Sequence, residues 1–155
     1  EGDFKLNMNI FYSNSIDSNI IILDKIESNH CIKVLRNDID DKVLVVDGMG
    51  CMYDCIIREI KNKIAYLEII SKTKHNNYYG VHIAISPIKN HERLEWFVEK
   101  AVEIGIDSIT FIKCNRTLRK NIRIERLKKI AITAMKQSLK AKLPIINSII
   151  DFNEF

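Results

Sequence analysis

Positive charge is concentrated in one stretch of the chain, between Lys113 and Lys142, where eleven basic residues accompany a single acid, Glu125. Residues 1–80, by contrast, carry 10 Lys or Arg against 12 Asp or Glu. A local excess of positive charge favours a polyanion as binding partner, nucleic acid above all. The alternative is a lysine-rich helix face that is only solvated. The eleven residues are Lys113, Arg116, Arg119, Lys120, Arg123, Arg126, Lys128, Lys129, Lys136, Lys140 and Lys142.

Part of this stretch has helical periodicity, which predicts a long helix over residues 124–140, followed by Pro144. At 100° per residue the apolar and the basic side chains fall on different faces. We expect the apolar face to pack and the basic face to be free to follow phosphates, together with the basic loop before the helix. The predicted apolar face is Leu127, Ile130, Ala131, Ala134 and Ser138, and the predicted basic face is Arg126, Lys129, Thr133, Lys136 and Lys140.

A second helix is predicted from about His91 to Ile104, with Gly105 at its C-terminal cap. Glutamates recur along one line of it, and we expect them to be solvent-facing or ion-paired rather than catalytic. Lys89 and Arg93 are placed differently, because they come just after the strand over residues 81–88. Open α/β sheets bind their ligands at the carboxyl ends of their strands. These two cations therefore become candidate ligand contacts, although an exposed helix arginine is the simpler interpretation.

In the first half of the chain, residues 28–35 are predicted to form a short helix with Ser28 or Asn29 as its N-cap. Lys33 and Arg36 would then lie on one side of it, with Val34 and Leu35 anchoring it to the neighbouring strands. Lys33 and Arg36 on such a helix could bind RNA.

The four cysteines, Cys31, Cys51, Cys55 and Cys114, raise the question of a metal site or a disulfide. Cys51 and Cys55 fall in a predicted strand, where four residues span about 13 Å. That separation exceeds disulfide reach and suits tetrahedral zinc poorly. We therefore expect buried, reduced cysteines and no metal.

The elements that must position these residues divide the chain in two. Short strands with tight turns predict a small β-barrel over residues 8–72, and a polar linker over residues 72–80 separates this barrel from the second half of the chain. Residues 81–155 alternate strand and helix, which predicts a parallel α/β sheet of doubly wound type. Residues 1–7 precede a natural-looking start at Met8 and are excluded as an appended segment. The expected class is an α+β protein of two domains.

The sequence contains no apolar run long enough to cross a bilayer and no signal-peptide pattern. We expect no membrane association and a cytoplasmic location. Residues 106–155 contain no glycine, and glycine-rich loops are the usual means of close backbone approach to a nucleotide or cofactor.

Five groups of residues together resemble the RsmE family, the methyltransferases that modify a uridine at ring nitrogen 3 in 16S ribosomal RNA. The resemblance runs in order from Met8 to about Ile150. The groups are His30…Val34-Leu35-Arg36; Val45-Val46-Asp47-Gly48; Lys89…Arg93…Glu95-Trp96…Glu99-Lys100-Ala101…Glu103-Ile104-Gly105; Arg116; and Ala134-Met135-Lys136-Gln137-Ser138…Pro144.

The resemblance implies an N-terminal PUA-like barrel that holds RNA and a C-terminal SPOUT α/β domain. In the family, the SPOUT domain binds S-adenosylmethionine in a trefoil knot and dimerises. The family's knot, with its Gly-Pro-Glu-Gly-Gly loop, is not found within the 155 residues. We therefore expect S-adenosylmethionine to serve the complete protein and not to bind this chain alone. The chain departs from the family pattern in a smaller way at Lys140, where many members have Arg. Lysine lacks the guanidinium group that can bind a phosphate through two hydrogen bonds.

From these residues and this resemblance we predict that the complete protein methylates 16S ribosomal RNA or the small ribosomal subunit, as a homodimer. The alternative is a non-catalytic RNA-binding module. No catalytic base can be assigned. The predicted RNA contacts are Lys33, Arg36, Lys89, Arg93, Arg116, Arg119, Lys136 and Lys140 as phosphate clamps, with Gln137 at the edge of the site.

Overall fold

A computed structural model describes residues 9–75, 80–117 and 121–155 of the chain. Within it the chain divides into two compact units, residues 1–76 and 77–155. The first unit is built mainly of strands: β1 (Ile10–Tyr12), β2 (Ile16–Asp17), β3 (Ile20–Ile22), β4 (Lys42–Val46), β5 (Cys51–Lys61) and β6 (Ile64–Lys74). Between β3 and β4 lie helix α1 (Lys25–Asn29) and a π-helical turn (His30–Val34).

The six strands form one curled sheet in the order β1-β4-β5-β6-β3-β2. The β1–β4 pair is parallel, and the other pairs are antiparallel. The sheet is a half-barrel with β1 and β2 at its edges, which confirms the PUA-like class predicted from the sequence. Its concave core contains fully buried side chains, each contributing about 1.5–3 kcal/mol. They include Phe11, Ile21, Leu23, Ile57 and Leu67.

The predicted N-cap of the short helix is wrong. Helix α1 begins at Lys25, because the Asp24 carboxylate accepts a hydrogen bond from the Glu27 N–H at 2.8 Å. Ser28 is fully buried instead. Its hydroxyl donates to the Leu23 carbonyl and accepts from the Ala65 N–H, both at 3.1 Å, so it fastens the helix to β6.

The second unit contains β7 (His82–Ile85), α2 (His91–Ile104), β8 (Ser108–Lys113), α3 (Ile124–Gln137), β9 (Ile145–Asp151) and a 3₁₀ turn (Phe152–Glu154). The three strands are parallel, as predicted, and lie in the order β7-β8-β9. Right-handed crossovers in this order put α2 and α3 on the same face of the sheet, so these two helices do not make the doubly wound arrangement expected from the sequence. Ile109 and Phe111 of β8 form the fully buried centre of this unit.

Helix α2 has the predicted bounds. The Asn90 side chain accepts a hydrogen bond from the Arg93 N–H at 3.2 Å, and Gly105 ends the helix with φ 101°. Helix α3 is shorter than predicted and ends at Gln137. Leu139 turns the chain there with φ 53°, a left-handed conformation that usually requires glycine.

No helix in the described part of the chain is both long and apolar enough to span a membrane.

Candidate nucleic-acid interface

The carboxyl ends of the three parallel strands lie at one edge of the second unit, where α/β folds usually bind their ligands. Two loops are tied together there. The hydroxyls of Ser86, after β7, and Thr117, after β8, are 2.7 Å apart, and the Thr117 hydroxyl also accepts the Cys114 N–H at 2.8 Å. These bonds fix the start of the loop that carries Arg116.

An open cleft of about 680 Å³ lies at this edge. Lys113 and Asp151, the last residues of β8 and β9, form a salt bridge of 3.0 Å across it. Arg116 is exposed and has no carboxylate partner among the described residues. The cleft therefore offers a guanidinium that can bind phosphate at two points. Its lining is Lys113, Cys114, Asn115, Arg116, Asp151, Phe152 and Asn153.

Lys89 and Arg93 lie beyond the carboxyl end of β7, as predicted, although β7 ends at Ile85 and not at residue 88. Both are exposed, and the Asn90 cap fixes the first turn of α2 on which Arg93 stands. Because β7 and β8 are parallel neighbours, Lys89, Arg93 and Arg116 all belong to the carboxyl edge of the sheet. This is the group of predicted cations that the fold brings together.

The predicted free basic face of α3 is wrong at Arg126. Its guanidinium donates two hydrogen bonds to the Glu95 carboxylate of α2, one of them at 2.8 Å. The hydrogen bond from Arg126 lowers the pKa of Glu95 below its ordinary value. Arg126 is therefore occupied in packing the two helices together. The expectation that the glutamates of α2 are ion-paired is confirmed at Glu95, and also at Glu99 and Glu103, which both bind Lys100.

Lys140 does not belong to the basic face either, since it lies beyond the end of α3. The N–H groups of Leu139 and Lys140 close the helix by donating to the carbonyls of Lys136 and Met135, at 3.1 and 3.0 Å. Lys136 is half-buried in the last turn, and Gln137 is the exposed final residue.

The end of α3 lies at the opposite edge of the sheet from Arg116. Helix α3 returns the chain from the carboxyl edge to the start of β9, which pairs with the start of β8. Its 14 residues span about 20 Å. The prediction that Gln137 reaches the same edge as Lys89, Arg93 and Arg116 is therefore not supported by the topology. The predicted contacts in this unit are two groups, not one.

In the half-barrel, Lys33 and Arg36 are both exposed, but they do not share one side of a helix as predicted. Lys33 lies in the π-helical turn, whereas Arg36 comes after it with φ 58°. Val34, a predicted anchor, is 62% exposed. Leu35, the other predicted anchor, does pack against the core, and Ile32 does so in place of Val34, because a π-helical turn changes which residues face inward.

Arg119, the remaining predicted contact, lies outside the described residues, as does Lys120.

Two polar clusters were not predicted from the sequence. Asp107 is buried and accepts hydrogen bonds from Lys142 and from the Val81 N–H, the latter at 3.0 Å. The bond from Lys142 is the main reason that the pKa of Asp107 lies below its ordinary value. These partners are distant in sequence, so no local pattern could have indicated them. They join the starts of the strands at the amino edge.

The second cluster surrounds Asp47, in the Val45–Gly48 motif. Its carboxylate accepts from the N–H groups of Met49 and Cys51 at 2.7 and 3.0 Å, and from the Tyr53 hydroxyl at 3.2 Å. This motif residue therefore holds the β4–β5 turn.

The cysteines are free thiols, and Cys31, Cys51 and Cys55 are buried as expected, whereas Cys114 is only half-buried. Burial raises the pKa of Cys55 to about 12, so this thiol is not a nucleophile near neutral pH. Among the described residues, no three His, Cys, Asp or Glu side chains are grouped as metal ligands would be.

Comparison with known proteins agrees with this two-part architecture. Residues 74–155 match the family model described as RNA methyltransferase domain, and residues 23–70 match the one described as RNA methyltransferase PUA domain. A curated relative from Buchnera aphidicola, ribosomal RNA small subunit methyltransferase E, is 28% identical over 145 residues. That match covers 88% of this chain and 57% of the relative, so the chain spans little more than half of the relative's length.

Solved structures show the same fold. A probable rRNA methyltransferase from Porphyromonas gingivalis is 36% identical with a TM-score of 0.87, covering 94% of this chain and 62% of that one. A ribosomal RNA small subunit methyltransferase E from Neisseria gonorrhoeae, bound to S-adenosyl methionine, is 24% identical with a TM-score of 0.82. That match covers 96% of this chain and 64% of the other.

Proposed function

The chain belongs to the RNA methyltransferase family, and from that premise we propose that the complete protein methylates ribosomal RNA of the small subunit with S-adenosylmethionine. The family match over residues 74–155 carries the proposal, because it covers the unit with the exposed cations at its carboxyl edge. The specific reaction proposed is transfer of the methyl group to ring nitrogen 3 of a uridine. Its support is the resemblance of the five sequence groups to the RsmE family.

The role proposed for this chain is to hold and orient the RNA. Lys89, Arg93 and Arg116 supply positive charge where a bound strand would meet the carboxyl edge of the sheet, and phosphate contacts of this kind fix register. The methyl group of S-adenosylmethionine is already activated as a sulfonium, so the protein must mainly place the uracil nitrogen in line with it and help remove the proton of that nitrogen. If the uracil is stacked, it must first leave the stack.

The described residues do not by themselves fit S-adenosylmethionine. Besides Phe152 and Cys114, the cleft at the carboxyl edge is lined by charged and amide side chains, and residues 106–155 contain no glycine that would let the backbone approach a cofactor closely. We therefore derive no catalytic step from this cleft. We propose that the 155-residue chain alone does not bind the cofactor and is inactive as a methyltransferase.

The oligomeric state, the location, the RNA target and the boundaries of the two parts complete the proposal. The complete protein acts as a homodimer in the cytoplasm, on the 16S RNA or on the assembled small subunit. The boundaries proposed for the two functional parts are residues 8–72 for RNA binding and residues 81–155 for the first part of the SPOUT domain.

A second candidate function is a non-catalytic RNA-binding module. The poor fit of the described cleft to the cofactor favours it. The two functions differ in one observable: both bind RNA, but only the methyltransferase transfers tritium from methyl-labelled S-adenosylmethionine to small-subunit RNA when the complete protein is assayed.

The RNA contact at the carboxyl edge can be tested on the 155-residue chain with Arg116→Ala. For single-stranded RNA each lost phosphate contact should reduce the slope of log affinity against log salt by about 0.7. Arg58→Ala is the matched control, because Arg58 is an exposed arginine of the other unit paired with Asp40 and Glu68. If the unaltered chain, Arg116→Ala and Arg58→Ala all had the same affinity and the same salt slope, Arg116 would not be an RNA contact.

A further inference from the structure

A small pocket of about 250 Å³ lies in the half-barrel unit, between the α1 segment and the turn that joins β5 to β6. Its lining combines three lysines, two asparagines and two isoleucines, with no acidic residue. These are Lys25, Lys33, Lys63, Asn29, Asn62, Ile32 and Ile64.

The charge of this pocket differs from that of its surroundings. Residues 1–80 carry more acids than bases, 12 against 10. Lys25, Lys33 and Lys63 nevertheless line one pocket, and within the described ranges none of them has a carboxylate within salt-bridge distance. Two other cations of the unit are engaged: Arg58 binds two carboxylates, and Lys72 lies over the Tyr53 ring. The pocket is therefore a local site of positive potential.

The shape and the remaining side chains indicate what would enter it. The volume is below the roughly 300–1,000 Å³ of pockets that hold drug-sized ligands, which suits one flat ring better than a whole nucleotide. Ile32 and Ile64 offer apolar surface to such a ring, and the amides of Asn29 and Asn62 can each donate and accept a hydrogen bond. Lysines at the rim would bind the phosphates on either side of the inserted base.

The turn that carries Lys63 adds a conformational argument. Asn62 and Lys63 have φ of 52° and 64°, the geometry of a type I′ hairpin turn, in which the second position strongly favours glycine. A lysine in this conformation costs about 1–2 kcal/mol relative to an unstrained residue. Its presence is accounted for if the side chain is needed for binding.

We infer that this pocket binds one unpaired base of an RNA strand, with Lys25, Lys33 and Lys63 on the adjoining phosphates. Single-stranded RNA is the occupant that matches the positive charge, the small volume and the apolar surface of the pocket. Its unpaired bases can enter the pocket, and a phosphate lies on either side of each base. An acidic peptide would satisfy the lysines but not the apolar part. The inference rests on the proposed function and adds to it a base-binding pocket within the half-barrel, the part of the chain already proposed to bind RNA.

The first test compares two double variants of the 155-residue chain that remove the same charge. Lys33→Gln with Lys63→Gln alters the pocket, whereas Lys42→Gln with Lys74→Gln alters exposed lysines outside its lining. Binding of a fluorescent ten-nucleotide oligouridylate is measured by anisotropy over a range of salt. The pocket pair should lose about tenfold in affinity and about 1.4 in salt slope, and the control pair less than about threefold. Equal losses in both pairs, or no binding by the unaltered chain, would overturn the inference.

The second test uses a variant that should change stability and RNA affinity in opposite directions, so that an effect on binding cannot be caused by loss of folding. Lys63→Gly should raise the melting temperature, because glycine suits the turn, and should still weaken RNA binding. A variant that gains stability and keeps full RNA affinity would show that the lysine side chain is not used.

The third test asks whether a base enters. In the chain with labelled isoleucine methyl groups, the Ile32 and Ile64 signals should shift with oligouridylate but not with an abasic ribose-phosphate oligomer or with poly-aspartate. Shifts of the same size with either of those probes would contradict base insertion. Failure of methyl transfer by the complete protein would refute the proposed catalysis, while these three readouts would still decide the pocket.

Discussion

The Glu95 carboxylate of helix α2 accepts two hydrogen bonds from the Arg126 guanidinium of helix α3, across 31 positions of sequence. Arg126 is the first cation of the predicted basic face of α3, which we expected to bind RNA. The pair therefore determines how much of that face is available to a polyanion.

Glu95→Gln should release Arg126 and strengthen binding of the 155-residue chain to an oligouridylate. Glu92→Gln is the control, since Glu92 lies in the same helix, is exposed and carries the same charge. Both variants change the net charge equally. A larger gain for Glu95→Gln, measured by anisotropy at low salt, is the expected result, and equal gains would show that only net charge matters.

The Asp107–Lys142 pair should make stability depend on acid pH. The pKa of Asp107 is lowered in the folded chain, first by the bond from Lys142 and also by the Val81 N–H. A carboxyl group whose pKa is lower in the folded chain than in the unfolded chain stabilises the fold at pH values above the unfolded pKa, which is near 4. This stabilisation is lost as the pH falls through the pKa of the folded chain. Asp107→Asn should therefore cost about 1 kcal/mol at pH 7 and distinctly less at pH 3, measured by urea unfolding.

Asp17→Asn provides the comparison for that measurement, because Asp17 is exposed and, among the described residues, its carboxylate accepts a hydrogen bond only from the neighbouring Ser18 hydroxyl. It should change the free energy of unfolding little at either pH. A constant difference between Asp107→Asn and the unaltered chain from pH 7 to pH 3 would contradict the assignment.

Leu139 should be replaceable by glycine with a gain in stability. Its φ of 53° is unfavourable for leucine, and its side chain is 51% exposed, so little packing would be lost. Leu139→Gly should raise the free energy of unfolding by up to about 1 kcal/mol. Leu139→Ala keeps the unfavourable conformation and should give no gain. A glycine variant that is no more stable than the alanine variant would refute the role of strain at this position.

Asp47 should be a residue of stability and not of RNA binding. Asp47→Ala removes the acceptor of three hydrogen bonds and should cost about 1–3 kcal/mol. Asp47→Asn keeps an oxygen for the N–H groups of Met49 and Cys51 and should cost less. Neither change should alter the salt slope of RNA binding at a temperature where both variants are folded. A reduced slope would place Asp47 in the interface instead.

The elements with strong local signals were predictable from the sequence. Helix α2 has apolar residues at three and four positions apart and a glycine directly after its end, and its bounds were predicted correctly. The end of α3 was not predicted correctly. Leu139 adopts the left-handed backbone conformation there without the glycine that usually marks such a position, and the basic residues continue past Gln137. The start of α1 was misplaced for a related reason: Ser28 is a plausible cap residue, but its hydroxyl bonds to the Leu23 carbonyl before the helix and to the Ala65 N–H of β6.

The candidate site was predictable by residue type and less so by arrangement. Topology could place Lys89 and Arg93 at the carboxyl edge, because both come directly after a strand. The pairing of Arg126 with Glu95 and the separation of Gln137 from Arg116 depend on how α2 and α3 pack, which periodicity alone does not determine. The pocket around Lys63 joins residues 25–33 with residues 62–64, and these two segments become neighbours only when α1 packs beside β6.

Methyl transfer by the complete protein tests the central claim most directly. Small ribosomal subunits isolated from cells that lack the protein would be incubated with it and with S-adenosylmethionine labelled with tritium in the methyl group. The RNA would then be digested and its nucleosides separated. We predict label in 16S RNA, recovered as 3-methyluridine. Protein that binds the RNA but leaves it unlabelled, or label recovered in a different nucleoside, would contradict the proposed function.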